Sequence, residues 1–554
     1  MAEIYSKRPI KVQKKSGFDK SFQNLFTSKV GTITPILVDE VIPNTTVNLR
    51  AAITAALPPL ASDTFMRCKL KYAAFFVPTR ILLAPGAYER WLTGNDDWMA
   101  QGSEASGTSV TVNKIVMPTL KLTNAQVKPG SLADYLGVKI TSATADDTGV
   151  YGVSALPFLA YHRIYNDWFR NSLVQKDIYA KASGSGFNAA GSLTYVPNNS
   201  NINNYTLDPT QGTNASLYGS TKFMDGVQAY ELRQANFDID MFTAASPQAQ
   251  NGEAQSVSFD VTDPDGGPLD TANFTISALR AANSVQQWLE RNNIAGNRMV
   301  DYVKAQYGAN LSDYVAQRPV LLGSGQFDVY SKGIYQTGMD NAVGATQNPF
   351  TSVGARYGSA YADGSDVLIK GFTAAEPGYI FVLCWLSPKV TYSTGIDPMF
   401  NRYAGPTTQS DMANPILQNV GNEPIYCGQI MDKPTNRFVV FGYQDRYYAW
   451  KDKTDEVHGL LRDGESLQSF ALQRTFNGTD AINISSAFLK IPTDYLDQVS
   501  AVNGDVSSYG YWADTYFDYK VSMPLAKYSV PSLQDPAYEH GEDVIVNTRG
   551  TQLT

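Results

Sequence analysis

The sequence predicts a mainly β protein, a β-sandwich or jelly roll with long insertions, and three observations support this. Residues 66–72 alternate strictly between apolar and basic side chains, the period of a strand with one buried and one solvated face. Charged residues make up only 17% of the chain, against a typical ~25%, while 33 of the 554 residues are tyrosine. Strand patterns lie near both ends of the chain. A large β-rich enzyme with ordinary loops fits the same composition.

The first strands are predicted within residues 31–80. The alternating run continues into an apolar stretch at 75–77, and Pro78 ends it. The earlier run 32–41 is also strand-like, but Pro35 limits it to a sheet edge or a bend because proline donates no ladder hydrogen bond. A long excursion of small residues and prolines is expected to connect the two strands.

Helical patterns interrupt the strands. Residues 130–138 (GSLADYLGV) predict a short helix with Ser131 as N-cap and Gly137 as terminator. Residues 155–170 carry an aromatic stripe at spacings of three and four, which is more typical of a core than of a ligand site. Within it, His162 is interpreted as structural or exposed. Residues 275–291 predict a helix capped by Thr275, with an apolar stripe of Ala278, Ala282, Val285 and Leu289.

Apolar strands return late in the chain. The run 378–386 is typical of a fully buried strand and 437–443 of another, while 517–523 alternates cleanly. Because the sheets close only near the end, the chain predicts one heavily inserted β domain over residues 31–535, followed by a C-terminal tail, 536–554.

The N-terminus is basic on an otherwise acidic protein. The formal net charge is −8, yet residues 1–15 hold five basic side chains against Glu3. A basic arm, assigned to residues 1–30, can bind nucleic acid through counterion release. A solvated tail fits the pattern equally well. The candidate DNA contacts are Lys7, Arg8, Lys11, Lys14 and Lys15.

Residues 182–222 are rich in Ser, Asn, Gly and Thr and carry no charge before Asp208. Such a segment cannot bury a core of its own, so it predicts a variable polar surface loop. The candidate outer-surface residues are Tyr195, Asn198, Asn201, Asn204 and Tyr205.

Few sites for chemistry are found. The three cysteines form no close pair; Cys68 and Cys384 are interpreted as small buried hydrophobes. No phosphate-binding loop, zinc motif or nucleophile elbow occurs, so no cofactor, metal or catalytic residue is predicted. A calcium loop at 260–267 lacks the required spacing. The carboxylate pairs Asp96/Asp97 and Asp238/Asp240 leave an alternative open, a β-rich carbohydrate-active enzyme or carbohydrate-binding protein. No secretory signal or membrane-spanning run is expected.

Several stretches together resemble the major capsid proteins of the Microviridae, most of all the gokushovirus branch. They occur in the family's order between residues 31 and 535 and read VGTITPILVDEVIPNTTVNL, KYAAFFVPTRIL, GSLADYLGV, ALPFLAYHRIYNDWFR, ELRQANFDIDMFT, ISALRAANSVQQWLERNN, RPVLLGSGQ, FGYQDRYYAW and KYSVPSLQD. The resemblance implies a single eight-stranded jelly-roll β-sandwich with long inter-strand insertions that contain short helices. One departure stands out. The interval 247–276, where gokushoviruses carry their threefold protrusion, is short here.

The resemblance also implies a function and its partners. A major capsid protein is a structural protein, not an enzyme, and self-assembles as sixty copies into a T=1 icosahedral shell around a circular single-stranded DNA genome. The basic residues of the arm would then face the interior. Further implied partners are an internal scaffolding protein, a small basic DNA-binding protein, a pilot or minor spike protein and a host surface receptor, without membrane insertion. Assembly in the bacterial cytoplasm and residence in the virion follow.

Overall fold

The alternation at 66–72 and the apolar run after it form one strand, Cys68–Pro78, as predicted. The structure is a computed structural model and describes residues 14–82, 92, 97–98, 113–114, 119–123, 127–139, 150–175, 206–207, 230–252, 276–296, 298–335, 356–401, 413–501 and 510–527. Its strands are β1 Ser16–Asp19, β2 Phe22–Ser28, β3 Thr34–Val41, β4 Thr46–Ala56, β5 Cys68–Pro78, β6 Asp97–Trp98, β7 Asn113–Lys114, β8 Thr119–Thr123, β9 Val150–Ser154, β10 Thr206–Leu207, β11 Val320–Asp328, β12 Tyr330–Tyr335, β13 Arg356–Thr373, β14 Gly378–Pro388, β15 Glu423–Tyr426, β16 Val440–Gln444 and β17 Tyr511–Met523.

The α-helices lie in the insertions and the late loops. They are α1 Leu132–Tyr135, α2 Leu156–Ile164, α3 Ile276–Ala295, α4 Met299–Tyr307, α5 Pro398–Asn401, α6 Tyr448–Lys451 and α7 Ser486–Leu489. A π-helical turn, Tyr165–Phe169, continues α2. The predicted cap of α1 is confirmed, because the Ser131 side chain accepts a hydrogen bond from the Asp134 backbone N–H.

Two antiparallel sheets form a β-sandwich. The first sheet has the order β2-β17-β4-β13-β12, with β1 also paired to β17, and the second has the order β11-β5-β14-β3. Successive strands from β2 to β5 alternate between the sheets, the connectivity of a jelly roll built from Greek keys. The predicted β-sandwich is confirmed. Strands β1 and β12 widen the first sheet beyond four strands. The edge position predicted from Pro35 is also correct, because β3 ends the second sheet.

The two sheets are covered differently. Strands β4 and β17 alternate buried and solvent-facing residues, so the first sheet buries one face only. Strands β5 and β14 are buried almost throughout. The continuation of α2 covers the second sheet's outer side, where Phe75 packs against Trp168 (ring centroids 5.7 Å apart) and Phe169 against Trp385 (4.9 Å). Among the described residues nothing packs on the outer face of the first sheet, which is therefore the bare face of the sandwich.

Two sequence assignments near the N-terminus need correction. The excursion predicted between 41 and 66 contains β4, a central strand of the first sheet, whose small residues Ala51 and Ala55 point into the core. The second half of the predicted arm, 16–28, forms β1 and β2, which pair with β17. These residues are therefore part of the first sheet, because they pair with the last strand of the described chain.

Only part of the predicted apolar stripe of α3 packs against the rest of the described protein. Leu289 is buried, whereas Val285 is 39% exposed. Thr275 and the side chain of Ala278 lie outside the described residues. The helix is anchored through its C-terminal half, where Asn293 donates to the Gln248 carbonyl (3.0 Å) and accepts from Ser246 Oγ (2.8 Å). Sequence periodicity identifies an apolar stripe but not how much of it the same chain covers.

Tyrosine hydroxyls tie the two sheets together. Tyr72 on β5 donates to Asp366 Oδ2 on β13 (2.8 Å), and Tyr519 on β17 donates to Asp39 Oδ2 on β3 (2.6 Å). Burial raises the pKa of both phenols far above the ordinary value, and the partner carboxylates raise it further. Burial likewise raises the pKa of Tyr161, Tyr495 and Tyr511.

Alkaline pH is expected to destabilise the fold steeply. The unfolded chain ionises its tyrosines near pH 10, while the folded protein keeps the buried ones protonated. Their contribution is therefore complete below about pH 10 and is lost above it, by about 1.4 kcal/mol per pH unit for each fully buried tyrosine. Denaturant unfolding between about pH 8 and 12 measures this, and Tyr519→Phe should flatten the slope by about one proton. Stability that does not change above pH 10 would contradict the prediction.

Candidate functional site

Of the five candidate DNA contacts in the basic arm, the structure describes Lys14 and Lys15. Lys14 and Lys15 are exposed, and Lys15 Nζ donates to Thr46 Oγ1 (3.3 Å). Thr46 begins β4 and lies on the bare face of the first sheet, since its neighbour Val47 is buried in the core. Lys7, Arg8 and Lys11 lie outside the described residues. Lys15 therefore lies at the edge of the bare face.

The polar loop 182–222 is described only at Thr206–Leu207, which form β10 and pair in parallel with β8. All the candidate surface residues in it lie outside the described part of the chain, namely Tyr195, Asn198, Asn201, Asn204 and Tyr205. The calcium-loop sequence at 260–267 and the tail 536–554 lie outside it as well.

The bare face carries exposed aromatic side chains in register. Tyr330 on β12 is directly opposite Tyr361 on β13, with ring centroids 6.2 Å apart. Tyr361 and Trp512 are each opposite Ala56 of β4, from its two sides. Tyr516 follows Trp512 on the same side of β17. These four rings are 47–58% exposed, although large aromatic side chains are normally buried.

Hydrogen bonds satisfy the charged groups of this face. Gln23 Nε2 donates to both carboxylate oxygens of Asp514 (2.8 Å each), and Thr54 donates to Asp363 Oδ1 (2.8 Å). Lys520 pairs with Asp518 at 3.0 Å. Arg50 on β4 lies directly opposite Asp518, and Lys332 follows Tyr330 on the same side of β12, so the face carries charges of both signs.

A second exposed apolar surface lies on α3 and α4. The large side chains Ile276, Leu279, Trp288, Ile294, Met299 and Tyr307 are 45–74% exposed. None of the described side chains of α4 is buried. Large exposed apolar surfaces mark sites of interaction with a partner.

A groove with a volume of about 1130 Å³ lies between the edges of β2 and β3. Its lining joins apolar Leu25, Ile36 and Trp512 with Asp134 and Lys139. The Tyr135 hydroxyl donates to the Thr27 carbonyl at one wall. Burial, with a smaller contribution from Asp134, raises the pKa of Tyr135 to about 12. The groove presents backbone edges and apolar rings, not a set of converging catalytic groups.

Histidine and cysteine side chains serve structure. His162 is fully buried, which excludes the exposed alternative, and its Nδ1 accepts from Arg233 Nε (2.9 Å). His458 is exposed beside Glu456, and His540 lies outside the described residues. Cys68 and Cys384 are buried and unpaired, as predicted, and burial raises the pKa of each thiol to about 12. Within the described ranges, no three His, Cys, Asp or Glu side chains cluster as metal ligands would.

The carboxylate pair considered for glycosidase chemistry is engaged in structural contacts. Asp238 pairs with Lys71 and accepts from Ser387 Oγ (3.2 Å). Asp240 accepts from the Tyr392 hydroxyl (2.8 Å) and from two backbone N–H groups of its own turn. Of the other pair, Asp97 lies in β6 and Asp96 lies outside the described residues.

Sequence reasoning missed both exposed surfaces. The alternation of β17 predicted its inward residues, while the available signal lay at the outward positions of the same strand, in the rings of Trp512 and Tyr516. Tyr330 and Tyr361 are 31 positions apart, and only strand pairing brings them together.

Among the described helices, none combines the length and apolarity needed to cross a membrane.

Comparison with known proteins gives a consistent result. Residues 8–533 match the family model described as capsid protein (F protein). Capsid protein VP1 of Chlamydia phage 1 is 24% identical over 96% of this chain and 98% of its own length. Capsid protein VP1 of Bdellovibrio phage phiMH2K is 26% identical over 94% and 95%. Capsid protein VP1 of Spiroplasma virus 4 is 24% identical over 91% and 93%.

Proposed function

The chain belongs to the capsid protein (F protein) family of phages, and we propose that sixty copies self-assemble into a T=1 icosahedral shell around a circular single-stranded DNA genome. Membership of this family shows that the chain is a structural protein of the virion, related to the Microviridae. The T=1 symmetry and the type of genome are the proposed part. A structural role without enzymatic activity accords with the engagement of Asp238 and Asp240 in internal contacts.

The observation that supports self-assembly most directly is the exposed apolar surface of α3 and α4. Six large side chains left in water amount to an apolar surface on the order of several hundred Å², and one partner of a standard interface contributes ~800 Å². Contacts between copies would cover this surface. Many moderate contacts in a closed shell add up to a stable particle.

The proposal extends to other partners. An internal scaffolding protein, a small basic DNA-binding protein and a pilot or minor spike protein would assist packaging, and the loop 182–222 would lie on the outer face and meet a host receptor. Limited proteolysis of intact particles should cut this loop first. Protection of the loop in particles would count against its outer position.

Electron microscopy of the purified protein across a salt series, with and without single-stranded DNA, tests the shell itself. Uniform small icosahedral particles are expected. Co-expression with the phage's other structural proteins supplies any scaffold that assembly requires. Monomers under every condition, including co-expression, would overturn the proposal.

Deleting residues 2–15 is expected to weaken DNA binding in a salt-dependent way. The deletion removes five positive charges and ends before β1, so the sandwich stays intact. Five phosphate contacts on a single strand give a log–log salt slope of roughly −3.5, which the deletion should abolish. Replacing the same five residues by glutamine is the matched control for chain length. An unchanged slope would contradict a role for the arm in DNA contact.

A further inference from the structure

The bare face of the first sheet differs from the exposed apolar surface of α3 and α4 in how its aromatic side chains are arranged. Its rings lie in cross-strand register, and no insertion of the described chain packs on it as the continuation of α2 does on the other sheet. Paired strands are about 4.8 Å apart, so Tyr330 and Tyr361 are adjacent and Trp512 lies two strands beyond Tyr361. Tyr516 is about 13 Å further along β17.

Rings presented in this way suit the bases of a single strand. Exposed aromatic side chains on a sheet are platforms on which unpaired bases stack, and the stacking tolerates any sequence because every base has a π-face. Duplex DNA keeps its bases stacked inside and does not offer them to such a surface. The chemistry of the face therefore selects single-stranded over double-stranded nucleic acid.

The bare face carries charges of both signs, whereas the arm is basic. Asp514 and Asp363 are held by Gln23 and Thr54, and Asp518 is paired with Lys520. The basic side chains Arg50, Lys332 and Lys520 lie on the same side of the sheet as these three acids, so the face contributes little counterion release. Contact between the face and DNA would then depend on the rings and only weakly on salt.

The described end of the basic arm lies next to the bare face. Lys15 reaches Thr46 on the bare face, at the end of the sheet away from the paired residues Ala56 and Trp512. Lys14 and Lys15 therefore place positive charge at one end of the face, where they can contact the phosphates of a DNA strand whose bases stack on the rings.

We propose that the bare face of the first sheet binds single-stranded DNA by stacking bases on Tyr330, Tyr361, Trp512 and Tyr516, with Lys14 and Lys15 at one end of the face available to contact phosphates. This inference rests on the proposed function, since it requires a single-stranded genome inside the shell. It assigns the bare face to the interior of the particle and the insertion-covered sheet to the outside.

The test uses the full chain and an oligodeoxythymidine probe at several salt concentrations. The double variant Tyr361→Thr/Trp512→Thr keeps β-branched residues on exposed strand positions, so the fold should persist. We expect its affinity to fall about tenfold or more, with the salt slope unchanged. Phe65→Thr is the matched control and should bind like the wild type, because Phe65 is 77% exposed and lies outside the bare face and outside α3 and α4. Photocrosslinking of an iododeoxyuridine probe should label peptides that contain Tyr361 or Trp512.

Three results would separate the possibilities. A double variant that binds DNA like the wild type, or crosslinks that map elsewhere, would overturn the inference. A variant that binds DNA normally but fails to form particles would show that the face contacts another copy, which also overturns it. In both cases wild-type particles still support the proposed function. Wild-type protein that forms no particles under any condition would remove the proposed function itself.

Discussion

Replacing Ile276 and Leu279 together by glutamate is expected to abolish particle formation while leaving the protomer folded. Both side chains are more than half exposed at the start of α3, so the folded protomer loses little by the change. In a contact between copies the same two glutamates would be buried without partners. Each buried unpaired charge costs several kcal/mol, and the cost recurs in every copy of a closed shell.

Two measurements separate folding from assembly in this variant. The melting temperature of the protomer should stay within a few degrees of the wild type, and velocity sedimentation should show monomers where the wild type forms particles. Ile239→Glu is the matched control, because Ile239 is 88% exposed and lies outside α3 and α4. Normal particles from the double variant would show that α3 lies outside the contacts between copies.

Gly510→Ala is expected to destabilise the fold strongly. Gly510 directly precedes β17 and has a φ of +54°, a conformation that side chains rarely adopt. A Cβ atom there would lie 2.0 Å from the Ser28 carbonyl oxygen of the neighbouring backbone. The left-handed conformation alone costs about 1–2 kcal/mol, and relieving a clash with backbone would displace the strand that joins β1 and β2 to β4. We expect a total of at least about 3 kcal/mol.

Two glycines of the same chain divide this effect into its causes. Gly459 has a φ of +66° and no atom within 4 Å of the place that an alanine methyl group would take, so Gly459→Ala reports backbone strain alone. Gly17 in β1 has open space and no positive φ, so Gly17→Ala should be nearly neutral. Soluble expression and urea unfolding of the three variants measure the order. Equal stability of Gly510→Ala and Gly459→Ala would show that the approach to Ser28 is not limiting.

Local sequence determined much of the sandwich. The alternation at 66–72 and 517–523 identified β5 and the second half of β17 because a two-residue period places side chains on opposite faces whatever the partner strand is. Pro35 predicted an edge strand because its missing N–H is a local property. Strand β4 was missed because Ala51 and Ala55 are weakly apolar, and their burial depends on neighbours from the opposite sheet.

The tertiary structure alone decided which surfaces remain uncovered. A period of 3.6 residues indicated the apolar stripe of α3, but the extent of its burial depends on where the insertion meets residues 246–252. Tyr330, Tyr361 and Trp512 come from distant parts of the chain, and only strand pairing through β4 and β13 brings them onto one face. A sequence pattern specifies the orientation of a side chain relative to its own strand or helix, whereas exposure depends on every other element that packs against it.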